Sequence, residues 1–389
     1  MNYSKLRNYP YIFIFLYGLV FMTNAIISVF LPVYLENIGF TRSLTGVLLG
    51  AGPFVALLSQ PFWGMAGDRA ATKNRVLKIL ILGTLGTVLL FPLGNSFLYI
   101  LFIITLFSFF RNSVPSLSDT ITLEFLEDRP WSFSPIRMAG TIGYALMAVV
   151  AGKIADIDIN MIFILYFLLG FLVLLCTWKL PVIRGHQSHK KKVPYWHLLK
   201  YKELMVLIIF SFIILTTINL YISFFPIYFT KEIGGSGYLL GWAISLAALV
   251  EIPFLLLADK IMPRIGPRRA MFGAAVIGGI RWLLVFYVNS PTGLLFTQVL
   301  HGLHFIVLYI AMVTYINKNV APELKASGQS FYGLVYIGLT RIVGNTLGGF
   351  LSDIFGLRNI FLYNGILSLI SAGLFLAFLL KRRRKRKLK

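Results

Sequence analysis

Cysteine is all but missing: Cys176 is the single one in 389 residues, so no intrachain disulfide can form and packing alone must hold the fold. Charged residues make up 13% of the chain, against about 25% in an ordinary soluble domain. That shortage excludes a water-facing globule. No phosphate loop, metal-ligand cluster or nucleophile–base arrangement occurs, so neither an enzyme nor a bound cofactor is expected. No small-residue cleavage site follows a short apolar core, so the first apolar segment is expected to be retained rather than removed as a signal peptide. What fills the chain is apolar: 58% of residues are hydrophobic and the mean hydropathy is +0.80.

The apolar residues fall into stretches long enough to cross a bilayer, which takes ~20 residues for a helix. Twelve segments result: 10–34, 43–66, 77–94, 97–124, 136–155, 160–181, 203–230, 238–260, 270–288, 291–318, 326–352 and 358–380. With both termini inside, the cytoplasmic stretches and the helix ends flanking them carry 28 of the 36 Lys and Arg. The external loops carry four: Arg42, Lys153, Lys231 and Arg358. One miscounted helix would invert every later loop, so this asymmetry supports the partition and predicts a multi-pass cytoplasmic-membrane protein. The basic tail Lys381-Arg-Arg-Arg-Lys-Arg-Lys-Leu-Lys389 then anchors the topology and is suited to anionic lipid; a nucleic-acid role is not expected.

The longest polar interval, 182–202, splits the helices six and six. Its His186 and His189 read as linker residues, not metal ligands. The halves echo one another. Phe30-Leu-Pro32-Val-Tyr34 recurs as Phe224-Phe-Pro226-Ile-Tyr228, 194 residues on. Pro61-Phe62 ahead of Asp68-Arg69 returns as Pro253-Phe254 ahead of Asp259-Lys260, and Gly152-x-x-x-Asp156 as Gly349-x-x-x-Asp353. Six is even, so both copies insert in the same orientation. The expected fold is an all-α integral membrane protein of twelve transmembrane helices in two parallel six-helix repeats: residues 1–181, a linker 182–202, residues 203–380, and the tail 381–389.

Over its full length the chain resembles the major facilitator superfamily of transporters. Gly64-Met-Ala-Gly-Asp68-Arg69 with Lys73 and Arg75 is similar to the family's loop motif, although Ala70-Ala71-Thr72 stands where a Gly is usual. Asp259-Lys260-x-x-x-Arg264-x-Gly266-x-Arg268-Arg269 is similar to its second copy. The resemblance implies that Asp68, Arg69, Arg75, Asp259, Lys260 and Arg268 serve conformational gating. A finer likeness, to the phenylpropionate permeases and the nucleoside and lactose-type proton symporters, rests on Ser118-Asp119, Arg137-Met-Ala-Gly-Thr-Ile-Gly-Tyr144, Glu251-Ile-Pro253, Arg281-Trp282, Gln298-x-x-His301-Gly302 and Ala326-Ser-Gly-Gln329.

A charge at the bilayer centre costs about 2.5–3.5 kcal/mol on insertion scales, so each needs a partner or water. The intramembrane set is Arg111, Asp119, Arg137, Glu251, Arg281 and Arg341, joined by His301 and His304 on one helix face. Asp119 and Arg137 have the acid–Arg spacing of the lactose-type substrate site, though Asp replaces Glu and Tyr144 replaces Trp; a structural ion pair is the simpler alternative. Glu251, beside Pro253, is the foremost protonation candidate, with Arg281 on the next segment placed to oppose it. His301 and His304 are candidate proton relays. Asn24 and Asn219, 195 residues apart, and Tyr144 and Gln298 are candidate substrate contacts. Four intramembrane Arg against two acids favour an anionic solute.

Proton-coupled uptake of a small polar or anionic solute is therefore expected, with the proton as coupling ion and the chain a monomer in the bilayer. The alternatives are a proton-antiporting exporter of drugs or metabolites and a non-transporting receptor. Exporters typically carry a Gly-Pro kink in the fifth helix; Gly140 to Gly152 here contains no Pro.

Overall fold

The computed structural model describes residues 11–127, 129–184, 198 and 200–387, without the side chains of Asp259, Glu323, Ala326 and 382–387. His186 and His189 and the side chains of 382–387, along with residues 388–389, lie outside the described residues. Twelve helices are long and apolar enough to span a membrane: α1 (Tyr11–Asn37), α2 (Arg42–Arg69), α3 (Lys73–Leu93), α4 (Phe97–Leu126), α5 (Phe133–Ile157), α6 (Met161–Trp178), α7 (Lys202–Glu232), α8 (Gly237–Ala258), α9 (Pro267–Tyr287), α10 (Pro291–Asn319), α11 (Ser327–Phe355) and α12 (Leu357–Lys381). Their ends lie within about four residues of the expected segments. No strand occurs among the described residues.

Local chemistry sets the interruptions. Gly39 (φ 96°) and Gly234 (φ 73°) turn the chain after α1 and α7 in the left-handed region that glycine enters without cost, at positions matching the repeat. In α4 the helix breaks after Arg111 and restarts at Val114, with Pro115 in the new first turn. Asn112 at the break is tied to α2: its side-chain Nδ2 donates to Gly52 O (3.0 Å), and its backbone carbonyl accepts from Gln60 Nε2 (3.3 Å). In α10 a tight turn at Gln298–Leu300 divides two helical pieces, and α11 contains a π turn at Leu334–Leu339.

The described residues group into two compact units. Of the described residues, the first holds those within 11–39, 51–184 and 236–245, and the second those within 40–50, 198–235 and 246–387. Each is packed in the same way. In the first, α1 lies along α5, and α3 lies against α4 and α6; in the second, α7 lies along α11, and α9 against α10 and α12. The sequence repeat is thus a repeat of packing.

The two Gly-x-x-x-Asp strings explain where the short stretches 40–50 and 236–245 belong. In the first unit Asp156 accepts from Gly237 N (2.5 Å) and Tyr238 N (2.9 Å), capping the start of α8. A Cβ on Gly152 would stand 2.1 Å from Gly237 O, so only glycine admits this approach. In the second unit Asp353 accepts from Arg42 N (3.1 Å), Ser43 N (2.8 Å) and the Ser43 hydroxyl, capping α2. There a Cβ on Gly349 would stand 2.3 Å from Arg42 O.

The start of the 182–202 interval is strapped to α3. Asn74 Nδ2 donates to Pro181 O (3.0 Å), its Oδ1 accepts from Ile183 N (3.0 Å), and Lys73 N donates to Ile183 O (2.8 Å). Asn74→Ala strands two backbone groups and is expected to cost about 1–3 kcal/mol of stability. An unchanged melting temperature of the purified protein would refute that.

Candidate functional site

In the second unit Arg281, His301, Glu251, Gln298 and Tyr221 form one connected network. The Arg281 side chain, 0% exposed on α9, donates from Nη1 to His301 Nδ1 (2.9 Å) and from Nη2 to Gln298 Oε1 (2.7 Å). His301 Nε2 lies 3.2 Å from Glu251 Oε1 on α8. Tyr221 on α7 donates its hydroxyl to Gln298 Oε1 (2.6 Å), and Gln298 Nε2 donates to Leu294 O (3.0 Å). The guanidinium also lies over the rings of Tyr221 (4.4 Å) and Trp282 (4.8 Å), both of which attract a cation. The α10 turn at Gln298–Leu300 supplies Gln298, and helix resumes at His301.

Donor chemistry fixes the imidazole. A guanidinium only donates, so Nδ1 of His301 must accept. The neutral ring therefore carries its proton on Nε2 and points it at the Glu251 carboxylate. The direct opposition of Glu251 and Arg281 expected from sequence is corrected: they form no ion pair within 4 Å among the described residues, and His301 stands between them. Beyond His301 runs a set of rings: Phe305 stacks on it at 5.2 Å, Tyr336 lies 5.9 Å from Phe305, and Tyr309 lies 5.2 Å from Tyr336.

His304 departs from the expected relay. It is fully buried, edge-on to Trp282 (5.3 Å) and packed on Gly278, and neither ring nitrogen has a hydrogen-bond partner among the described residues. It follows His301 by three residues on the same helical piece, and its ring meets Trp282 and Gly278 instead of Glu251. Asn219 donates to Leu215 O and to Thr340 Oγ1 (both 2.9 Å), tying α7 to α11. Arg341 is exposed on α11, and nearby Asn345 instead accepts from Ser223 (2.6 Å) and donates to Leu49 O (3.0 Å).

The first unit corrects one expectation. Asp119 and Arg137 form no ion pair within 4 Å among the described residues. Asp119 accepts instead from the Tyr17 hydroxyl of α1 (2.5 Å), while Arg137 lies over the Phe21 ring (4.3 Å). Both partners come from α1, which the spacing along α4 and α5 does not report. Arg111 donates to Asn24 Oδ1 and lies over Phe107 (5.8 Å). Tyr144 shares a hydrogen bond with Ser28 (2.9 Å).

The loop-motif residues make contacts inside their own units. Lys73, 2% exposed, bonds Glu124 and stands 3.6 Å from Asp68. Arg69, Arg75 and Lys260 are exposed; the Asp259 side chain lies outside the described residues. Arg268 pairs with Glu203 and lies over Tyr315 (5.3 Å). Tyr17, Tyr221, Glu203 and Glu124 escaped the sequence reading. Tyrosine is common in apolar helices, and no spacing marked the two acids.

Comparison with known proteins agrees with this architecture. The maltose permease of Geobacillus stearothermophilus is 26% identical over 96% of this chain and 95% of its own length. The probable 3-phenylpropionic acid transporter of Escherichia coli (strain K12) is 24% identical over 87% and 90% respectively. The multidrug resistance protein MdtG of Enterobacter lignolyticus is 23% identical over 96% and 91%. Among solved structures, the nucleoside transporter NupG superposes with a TM-score of 0.84 at 19% identity, covering 94% of this chain and 98% of that one. The model of the MFS_1 like family matches residues 10–363, and the chain therefore belongs to that family of major facilitator transporters.

Proposed function

We propose that the protein takes up a small organic anion together with a proton, and that Glu251, His301 and Arg281 couple the two. The observation that carries this is the unbroken Glu251–His301–Arg281 line of contacts, 3.2 and 2.9 Å long. With Glu251 ionised, its charge balances that of Arg281. A proton on Glu251 leaves the guanidinium in excess inside a low-dielectric core, where charge is costly. An anionic solute near Arg281 restores the balance. Proton and anion therefore favour one another's binding, and by linkage the favour is mutual. The rings beyond His301 suit a planar group, and a relative is described as a probable 3-phenylpropionic acid transporter, so aromatic carboxylates are the first solutes to try.

This coupling has a further mark. One proton with one monovalent anion moves no net charge, so the pH gradient alone drives uptake, each unit of pH being worth ~1.4 kcal/mol or tenfold accumulation. A membrane potential imposed without a pH gradient is expected to leave uptake unchanged.

The test uses liposomes with a pH gradient and labelled aromatic acids, nucleosides and sugars. Wild type should accumulate an acid in proportion to the gradient. Glu251→Gln should exchange the acid across the membrane without accumulating it. Uptake indifferent to the gradient in both forms overturns the proposal. We place both termini in the cytoplasm, on the strength of the Lys and Arg distribution. Export with proton antiport is the second reading, favoured by the likeness to MdtG; gradient-driven accumulation inside inside-out vesicles would select it.

A further inference from the structure

The first unit gathers three cations at one membrane face. Arg75 and Lys78 stand in the first two turns of α3, Lys179 caps the end of α6, and none of them forms an ion pair within 4 Å among the described residues. No acidic residue occurs within 70–118 or 159–202, so neither helix can supply one from its own stretch of chain. Successive spans run in opposite directions, so the start of α3 and the end of α6 lie at the same face of the bilayer.

The two helix ends also meet. Lys78 Nζ lies 6.0 Å from the centre of the Trp178 ring. Two turns further along the same face of α3, Leu85 packs on Gly170, where a Cβ would stand 2.7 Å from the leucine side chain. Beside this seam both helices turn apolar residues outward: Ile79, Leu82 and Leu89 from α3, and Leu168, Phe171 and Leu172 from α6. Gly86 is exposed as well, and a Cβ there would meet nothing within 4 Å, so the α3 row carries a notch. Trp178, 62% exposed, sits where the apolar rows give way to lysine, the level that tryptophan prefers in a bilayer.

The repeated fold does not demand these groups. In the second unit Phe272 stands 194 residues beyond Lys78, and Leu376 stands 197 beyond Lys179. Phe375, 197 beyond Trp178, is buried against Phe210. The lysines and the exposed indole belong to one half alone.

We propose that this corner of the first unit binds an anionic phospholipid, its phosphodiester between Lys78 and Lys179 and an acyl chain along Ile79, Leu82 and Gly86. Each lysine lays its apolar stem over the edge of the hydrocarbon and lifts its ammonium group to the phosphate. A lipid of net negative charge is preferred to a zwitterionic one, whose own ammonium competes for that phosphate. Arg75, one turn nearer the water, adds to the attraction. The site shares no residue with the Glu251–His301–Arg281 line and stands whether or not that line carries protons.

Fluorescence in reconstituted vesicles tests it, because bromine on an acyl chain quenches a tryptophan that the chain touches. The share of Trp178 is the emission lost in Trp178→Phe, which places there the residue the second unit already has. In phosphatidylcholine vesicles, a small fraction of brominated phosphatidylglycerol should quench that share more than the same fraction of brominated phosphatidylcholine. The preference should amount to about fivefold in relative affinity for each lysine. It should fall by that factor in Lys78→Gln and in Lys179→Gln, and persist in Lys318→Gln, which alters an exposed lysine elsewhere. Soluble glycerol phosphate should leave it intact; displacement would make this a site for free phosphate esters and overturn lipid docking. Equal quenching by the two lipids in the wild type, or an undiminished preference in the Lys78→Gln, Lys179→Gln double variant, overturns it as well. Should the lysine variants fail to fold, the wild-type comparison decides.

Discussion

Arg281→Gln is expected to destabilise the protein by about 3–5 kcal/mol and to abolish solute accumulation, because it leaves Glu251 and His301 without the group that balances and orients them. Arg281→Lys should rescue little. An ammonium cannot reach both His301 Nδ1 and Gln298 Oε1 as the planar fork does, nor lie flat over Tyr221 and Trp282. The informative variant is the double, Arg281→Gln with Glu251→Gln. If the two charges balance through His301, the double variant should lose distinctly less stability than the two single losses added together. Strict additivity would mean that the residues act separately, and the coupling proposal would fall with it.

Gly152→Ala and Gly349→Ala should produce the second largest effect. Each places a methyl carbon 2.1 or 2.3 Å from a carbonyl oxygen, so a helix must move by about an ångström. Overpacking of that size costs about 1–3 kcal/mol. Movement of the helix also lengthens the backbone bonds to Asp156 or Asp353. The two glycines serve different units and share no partner, so the double variant should lose the sum. Melting temperatures of the three variants measure this. Wild-type stability in either single variant would show that these approaches are not constraining.

Much of the fold was legible because its causes are periodic or cumulative. Hydrophobic length locates α1 to α12, the run of Lys and Arg orders them, and recurrence of Pro32, Asp156 and their counterparts exposes the duplication. The candidate site was legible only in part. Glu251, Arg281, Gln298 and His301 stood out since each is costly in lipid, and the structure does bring them together. Their order did not follow from spacing: both histidines stand on one helical piece, and the packing of His304 on Trp282 and Gly278 leaves the contact with Glu251 to His301. Asp119 and Arg137 were misjudged for a related reason. Their neighbours Tyr17 and Phe21 are uncharged residues on a distant stretch of chain, and such partners leave no mark in a charge pattern.

The π turn at Leu334–Leu339 bears on how the two copies drifted apart. Matched positions lie 194 residues apart at Pro32 and Pro226 but 197 apart at Gly152 and Gly349, so the later copy has gained length before its eleventh helix ends. A wide turn takes up one of these three extra residues as a local bulge instead of rotating everything after it by ~100°. Gly344, Gly348 and Asp353 thereby keep their bearing on α7 and on Ser43. Trimming one residue inside that bulge should be tolerated far better at its near end than the same cut three turns later, where no slack exists to absorb it.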